Sequence, residues 1–134
     1  MGRDFEPEIV VLCCGRSVNE GDHLPEGARK CAGFTARFAM VPCTSEVETV
    51  YMVKLIENGT DGVVVVGCPE NECQFVVGSS RARGRVEHAR RLLEEVGMGS
   101  ERVHMVRRNG LSSEDIVAIA GEQADAVRRL GRTQ

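Results

Sequence analysis

The feature that most constrains the fold is a run of four valines, residues 63–66, between Gly62 and Gly67. β-Branched side chains favour extended backbone, and an unbroken apolar run is typical of a strand buried on both faces. Such strands belong almost only to parallel sheets covered by helices on both sides. Cys68 follows the run directly, and Cys73 completes a Cys-x4-Cys spacing. The stretch therefore predicts a central strand with two thiols beyond its carboxyl end.

Three further short apolar runs predict the other strands of this sheet: residues 8–12, 37–41 and 103–106. The first run ends at Cys13 and Cys14, and the second run ends at Pro42-Cys43. Cysteines therefore follow three of the four predicted strands.

Helices are predicted between these strands from their caps and from apolar spacing. Ser45-x-x-Glu48 is a capping-box pattern for a helix that ends at Asn58-Gly59, with Val50 and Tyr51 among its apolar residues. Residues 85–96 form a second helix with one apolar face, ended by Gly97, and Ser112 begins a third.

Strand and helix alternate along most of the chain, although glycine and proline interrupt residues 16–33. There we predict only a short helix that starts at Pro25 and ends at Gly33. The alternation predicts one α/β domain over residues 1–134, with an ordered core of about residues 8–130. We expect a single open parallel sheet with helices on both faces, flavodoxin-like, with strand order 2-1-3-4. A Rossmann-type half is the alternative order.

Composition excludes several classes of function. A net charge of -3 gives no electrostatic basis for binding nucleic acid. No apolar run approaches the roughly 18 residues of a membrane span, and the charged amino terminus has no signal-peptide core. We therefore expect a cytoplasmic protein, where thiols stay reduced, so that six cysteines indicate metal or redox chemistry. Neither dinucleotide-binding nor Walker glycine motifs follow the first strand.

Most of the cysteines are expected to meet at one edge of the sheet. The carboxyl ends of parallel strands lie at the same edge, and neighbouring strands are about 4.8 Å apart. Five cysteines follow such ends, whereas Cys31 lies outside this set: Cys13, Cys14, Cys43, Cys68 and Cys73. Each cysteine alone could equally be a small buried hydrophobic residue.

Four converging thiolates would suit either zinc or an iron–sulfur cluster. Structural zinc usually takes two Cys-x2-Cys pairs, and this chain has none, which disfavours zinc. The Cys-x4-Cys spacing occurs in plant-type iron–sulfur proteins.

A run of arginines follows the last cysteine in the sequence. It is interpreted either as a solvated helix face or as a docking surface for an acidic partner, and it consists of Arg81, Arg83, Arg85, Arg90 and Arg91.

The chain resembles the family of the delta subunit of methyl-viologen-reducing hydrogenase. The resemblance rests on Ile-Val-Val-Leu-Cys-Cys at the first strand, Val-Pro-Cys-Thr-Ser-Glu-Val at the second, and Asp-Gly-Val-Val-Val-Val-Gly-Cys-Pro-Glu-Asn-Glu-Cys at the third. It continues through the helix that ends at Gly97 and covers about residues 8–130.

The resemblance implies a [2Fe-2S] cluster and an electron-transfer subunit that catalyses no reaction alone. Its partners would be a hydrogenase or other dehydrogenase and a heterodisulfide-reductase-like flavin subunit. The preferred metal ligands are Cys14, Cys43, Cys68 and Cys73, with Cys13 as a substitute.

One position departs from the family pattern. The family usually has a further cysteine three residues after the Cys-Cys pair, where this chain has Ser17. If that cysteine is a ligand in the family, the cluster of this chain must use Cys13 or Cys14 instead, take a serine oxygen, or be absent. The alternative functions are a metal-free thiol/disulfide redox protein and a docking subunit that has lost the cluster.

Overall fold

The computed structural model describes residues 6–14, 27–31, 33–41, 49–67, 78–107 and 111–130. Within these ranges the chain forms five strands, three α-helices and one short 3-10 helix, Ser100–Arg102. In chain order the main elements are β1 (Glu8–Cys14), β2 (Gly27–Cys31), β3 (Phe34–Val41), α1 (Thr49–Glu57), β4 (Gly62–Gly67), α2 (Gly78–Glu95), β5 (Val103–Arg107) and α3 (Ser113–Leu130).

The strands form one sheet in the order β2-β3-β1-β4-β5. β1 lies in the centre and pairs in parallel with β3 and β4, and β4 pairs in parallel with β5. Numbered among themselves, the four parallel strands have the order 2-1-3-4. The predicted flavodoxin-like α/β fold is therefore confirmed.

The edge strand β2 was not predicted. It runs antiparallel to β3, from the pair Gly27↔Phe38 to the pair Cys31↔Phe34. The predicted short helix from Pro25 to Gly33 is therefore wrong over residues 27–31, and the sheet is parallel except at this edge. Pairing with β3 gives the segment backbone partners that its own sequence does not specify, and an antiparallel edge strand on a parallel sheet is common.

Helices cover both faces of the sheet, as predicted. Side chains of β1 alternate between the faces: Ile9, Val11 and Cys13 belong to the core under α3, and Val10 and Leu12 belong to the core under α1 and α2. All four valines of β4 are completely buried. The capping box of α3 is also present, because the Asp115 N–H donates to the Ser112 hydroxyl at 3.1 Å and the Ser112 N–H donates to the Asp115 carboxylate at 3.0 Å.

Gly62 allows α3 to pack closely on the start of β4. A β-carbon added at this position would lie 2.8 Å from Cγ2 of Val127 and 3.0 Å from Cδ1 of Ile9, both of which are buried. We therefore expect Gly62→Val to lower the free energy of unfolding by about 3 kcal/mol, measured by urea denaturation.

Gly84 provides the matched control for Gly62. It is exposed in α2 and a β-carbon there meets nothing within 4 Å, so Gly84→Ala should raise the free energy of unfolding by about 0.5–1 kcal/mol. Equal stability of Gly62→Val and the wild type would contradict close packing of α3 on β4.

A buried polar network closes the amino edge of the sheet, where the parallel strands begin. Arg102 is 3% exposed and donates from Nε to the carbonyl oxygen of Met98 at 2.8 Å and from Nη1 to that of Asp61 at 3.0 Å. The Asp61 carboxylate accepts the Glu8 N–H at 2.9 Å. The buried Gln123 side chain donates to the Arg102 carbonyl oxygen at 3.0 Å. The network thus joins the starts of three strands to α3.

Both ends of the described fold lie at this amino edge. The carbonyl oxygen of Pro7, just before β1, accepts the Thr35 N–H at the start of β3 at 2.9 Å. At the other end, the Arg128 guanidinium of α3 donates to the Gly33 carbonyl oxygen, which also precedes β3. None of the described helices combines the length and apolarity needed to cross a membrane.

Candidate functional site

The carboxyl ends of β1, β3 and β4 lie side by side. Cys14 at the end of β1 pairs with Val41, and Cys13 pairs with Val66, so that Gly67 is level with Cys14. Val41 stands two residues before Cys43 in the sequence, and Gly67 stands directly before Cys68. Because β1 separates β3 from β4, their ends are about 10 Å apart. The sheet therefore brings together the carboxyl ends of β1, β3 and β4, which are the strands that contain or precede the predicted ligands.

Most of the predicted ligands lie outside the described residues. This holds for Cys43, Cys68 and Cys73, and also for Ser17, while only the backbone of Cys14 is described. Among the side chains that the structure describes, no group of three or more His, Cys, Asp or Glu residues could hold a metal ion. The predicted ligand set therefore stays a prediction.

Cys13 is the one predicted ligand whose side chain the structure describes. Its thiol is completely buried in the core under α3, in the same cluster as Val11, Phe38 and Ile116. A cysteine in such surroundings packs as a small apolar residue. Its burial favours a role in packing, while its use as a substitute ligand stays a prediction.

Cys31 lies at the opposite edge of the sheet from the other cysteine positions. It is the last residue of β2 and pairs with Phe34, where β3 begins. From Phe34 to Val41, β3 extends over about 23 Å at the usual rise per residue. Cys31 is therefore remote from the carboxyl edge of the sheet, in agreement with its place outside the predicted set.

The predicted basic run lies on α2. The guanidinium of Arg83 pairs with the Glu87 carboxylate at 3.4 Å, and both side chains are 54% exposed. Burial of the ring lowers the pKa of His104 of β5, and the charge of Arg90, farther along α2, lowers it further, while Glu122 opposes the shift. His104 pairs with Val64 in the middle of β4, so this histidine is not at the carboxyl edge.

The apolar face of α1 differs from the one predicted. Met52 and Ile56 are completely buried, whereas Val50 is 63% and Tyr51 is 49% exposed. The spacing of four residues between Met52 and Ile56 was the signal for the buried face, and it places Val50 and Tyr51 outside that face. The sequence analysis named these two side chains among the apolar residues of the helix, and the structure places them at its exposed surface.

Comparisons with known proteins give one matching family profile and several similar proteins. Residues 9–131 match the profile of a family described as methyl-viologen-reducing hydrogenase, delta subunit. The vhu iron-sulfur subunit of the F420-non-reducing hydrogenase of Methanocaldococcus jannaschii is 29% identical over 127 residues, which is 95% of each chain. The corresponding subunit of Methanococcus maripaludis is 30% identical over 126 residues, or 94% of each chain.

A second kind of relative is much longer than this chain. It is one of the subunits of the ferredoxin/F(420)H(2)-dependent CoB-CoM heterodisulfide reductase of Methanosarcina acetivorans. It is 28% identical over 97 residues, which make up 72% of this chain and 12% of that protein. A region similar to this chain thus occurs both as most of a small protein and as a short segment of a larger one.

Proposed function

The chain belongs to the family of the methyl-viologen-reducing hydrogenase delta subunit, and from that premise we propose that it is an electron-transfer subunit with a [2Fe-2S] cluster. The observation that carries the proposal is the adjacency of three strand ends, each followed or occupied by cysteine. Converging thiolates are the donor set that iron–sulfur clusters require. When bound, the cluster would supply reversible one-electron oxidation and reduction.

The proposed ligands are Cys14, Cys43, Cys68 and Cys73. Sequence alone left Cys13 and Cys14 as alternatives, and the burial of Cys13 under α3 now supports the choice of Cys14. The buried sheet would hold the ends of the three cysteine-bearing segments in fixed positions. A rigid site favours electron transfer, because the reaction is faster when the surroundings of the cluster rearrange little.

The proposed partners are a hydrogenase or other dehydrogenase and a heterodisulfide-reductase-like flavin subunit. Similarity to hydrogenase iron-sulfur subunits over nearly the whole chain supports the first partner. A similar region within a long heterodisulfide reductase chain supports the second. We place this complex in the cytoplasm, where reduced thiols are available for cluster assembly.

Anaerobic purification with iron and sulfide assays tests the cluster. We expect about two iron and two sulfide per chain, visible absorption, and loss of that colour after treatment with an iron chelator. Zinc in place of iron, or a colourless chain after anaerobic reconstitution, would contradict the proposal. Titration of the thiols with and without reductant would then separate the thiol/disulfide alternative from a docking subunit without a cluster.

A further inference from the structure

β5 is an edge strand of the sheet. It pairs with β4 on one side, and no strand in the described part of the chain pairs with its other side. Grooves of about 280 and 220 Å³ border this edge, and both are lined by Arg90 and His104. An edge strand presents backbone N–H and carbonyl groups that can hydrogen-bond to a further strand. Met105 and Val106 are only half-buried, so that pairing there would also cover apolar surface.

The face of α2 beside β5 has an alternating charge pattern. Three of its side chains line the groove at Met105: Arg83, Glu87 and Arg90. Glu94 follows one turn later and lines a neighbouring groove together with Glu87 and Arg90. We call these four residues the charge stripe. Their charges alternate in sign, and they are separated by four, three and four residues.

This spacing makes the charge stripe complementary to a second copy of itself. The intervals are the same from either end of the stripe, and the order of charges is the same with the signs exchanged. Two antiparallel α2 helices would therefore place Arg83 opposite Glu94, and Glu87 opposite Arg90, at both ends of the contact. Opposite charges that face each other in this way determine both the partner and the register of an interface.

The contacts within one chain leave the stripe exposed to solvent. The Arg83 guanidinium lies 3.4 Å from the Glu87 carboxylate, and both side chains are 54% exposed. An exposed ion pair between residues four apart on a helix contributes little to stability. Exchange of this pair for one across an interface would therefore cost the fold little.

The centre of the charge stripe lies close to the level of the centre of β5. α2 runs in the direction opposite to β5, because it connects the carboxyl end of β4 to the amino end of β5. Arg90 and His104 line the same two grooves. The midpoint between Glu87 and Arg90 is about 2 Å farther towards the carboxyl edge, which is less than one strand residue. It therefore lies near the level of Met105, the middle residue of β5.

Antiparallel pairing of two β5 strands would bring the two charge stripes together. A two-fold axis at Met105, perpendicular to the sheet, pairs Met105 with its copy and His104 with Val106 of the second copy. The same axis places the two α2 helices antiparallel on one face of the joined sheet. Because α2 packs on β4 and β5, the helices would be about 10 Å apart at the usual strand spacing, which is close to a normal helix packing distance.

We propose that β5 and the charge stripe form the interface between two copies of this chain, which joins two five-stranded sheets into one. The interface is isologous, so that each Glu87 contacts Arg90 of the other copy twice over in the dimer. The two carboxyl edges then point in opposite directions, and neither lies at the interface. The inference goes beyond the proposed function and does not depend on it.

Sedimentation velocity of the purified chain between about 1 and 100 μM tests the association. We expect the mass at the highest concentration to be twice 14.6 kDa. Glu87→Arg places like charges opposite each other at two symmetric points, and Arg90→Glu does the same, so each variant should raise the dimer dissociation constant at least about tenfold. The double variant Glu87→Arg/Arg90→Glu exchanges the two charges and should restore the wild-type constant to within about threefold.

Hydrogen exchange tests whether β5 is the strand that pairs. The amides of residues 103–107 should exchange more slowly at about 100 μM than at about 1 μM, because pairing protects the N–H groups at the edge. Residues 27–31 of β2, the edge strand on the other side of the sheet, provide the control and should exchange at the same rate at both concentrations.

The matched control variants reverse single charges on α1, which packs on β4 and α2. Lys54→Glu and Glu57→Arg change exposed side chains and should alter the dissociation constant by less than about twofold. A wild-type chain that stays monomeric at the highest concentration would overturn the interface, and so would single stripe variants that associate like the wild type. A double variant as weak as the single ones would overturn the antiparallel pairing of two stripes. The proposed function is tested separately, by iron content.

Discussion

Replacement of Cys14 by alanine is expected to abolish cluster assembly, whereas replacement of Cys13 is expected to leave the cluster in place. The two residues are adjacent at the end of β1, but the thiol of Cys13 is enclosed in the core under α3. A ligand must reach the metal as a thiolate, and moving this thiol out of the core would leave a cavity, so Cys13 is not expected to bind the cluster. Because alanine lacks only the sulfur atom, Cys13→Ala should lower the free energy of unfolding by only about 1 kcal/mol.

Iron, sulfide and the visible spectrum of anaerobically reconstituted variants measure this difference. Cys31→Ala is the control, because Cys31 lies at the opposite edge of the sheet and its loss should change none of the three. Full cluster content in Cys14→Ala, with loss in Cys13→Ala, would reverse the assignment. Ser17→Ala completes the series, since an altered spectrum in that variant would identify a serine oxygen as a ligand.

Replacement of Arg102 by methionine is expected to lower the free energy of unfolding by about 3–5 kcal/mol. The guanidinium donates to the Met98 and Asp61 carbonyl oxygens, and its charge interacts with the Asp61 carboxylate. Burial lowers the pKa of Arg102, and Asp61 opposes that shift. Methionine fills similar space but leaves buried acceptors and a buried carboxylate without their cation.

Urea denaturation measures the effect, with Arg91→Met as the control on the exposed side of α2. The control should lie within about 0.5 kcal/mol of the wild type. Because Arg102 lies at the amino edge, the iron content of the folded fraction should not change. An Arg102→Met variant as stable as the wild type would show that the polar network contributes nothing to stability.

The central part of the fold was predictable because its signals agree with one another. The valine run of β4 and the apolar runs of β1 and β3 are too hydrophobic on both faces for an exposed sheet, and a helical segment separates β3 from β4. The strand at residues 103–106 is confirmed as β5, Val103–Arg107, and the predicted cap at Ser112 is present. For these elements, local preference and tertiary packing favour the same structure.

The unpredicted features are those that tertiary packing imposes. Residues 27–31, Gly-Ala-Arg-Lys-Cys, lack a strand pattern and become β2 by pairing with β3. The predicted helix of residues 85–96 begins earlier, at Gly78, although Gly-Ser-Ser is a weak helix-forming sequence. In both cases the intrinsic preference of the segment is small compared with the stabilisation that comes from the rest of the fold.

The candidate site was predictable in its position and not in its details. Parallel strands have their carboxyl ends at one edge, and the register of β1 with β3 and β4 shows that the ends of these three strands lie side by side, whereas convergence of the cysteines themselves stays a prediction. The burial of the Cys13 thiol could not be predicted, because β1 is apolar on both faces and alternation carries no signal there. Only the packing of α3 distinguishes Cys13 as a buried residue.

The position of the two ends of the described fold has a consequence for how this fold can be combined with others. β1 begins and α3 ends at the amino edge, near Gly33, while the cysteine segments leave from the far side of the sheet. A covalent connection at either end would therefore leave the carboxyl edge uncovered. The same architecture can then serve as a separate protein or as a segment of a longer polypeptide without a change at the carboxyl edge. The relatives include both a small protein similar over nearly its whole length and a long chain with a similar region.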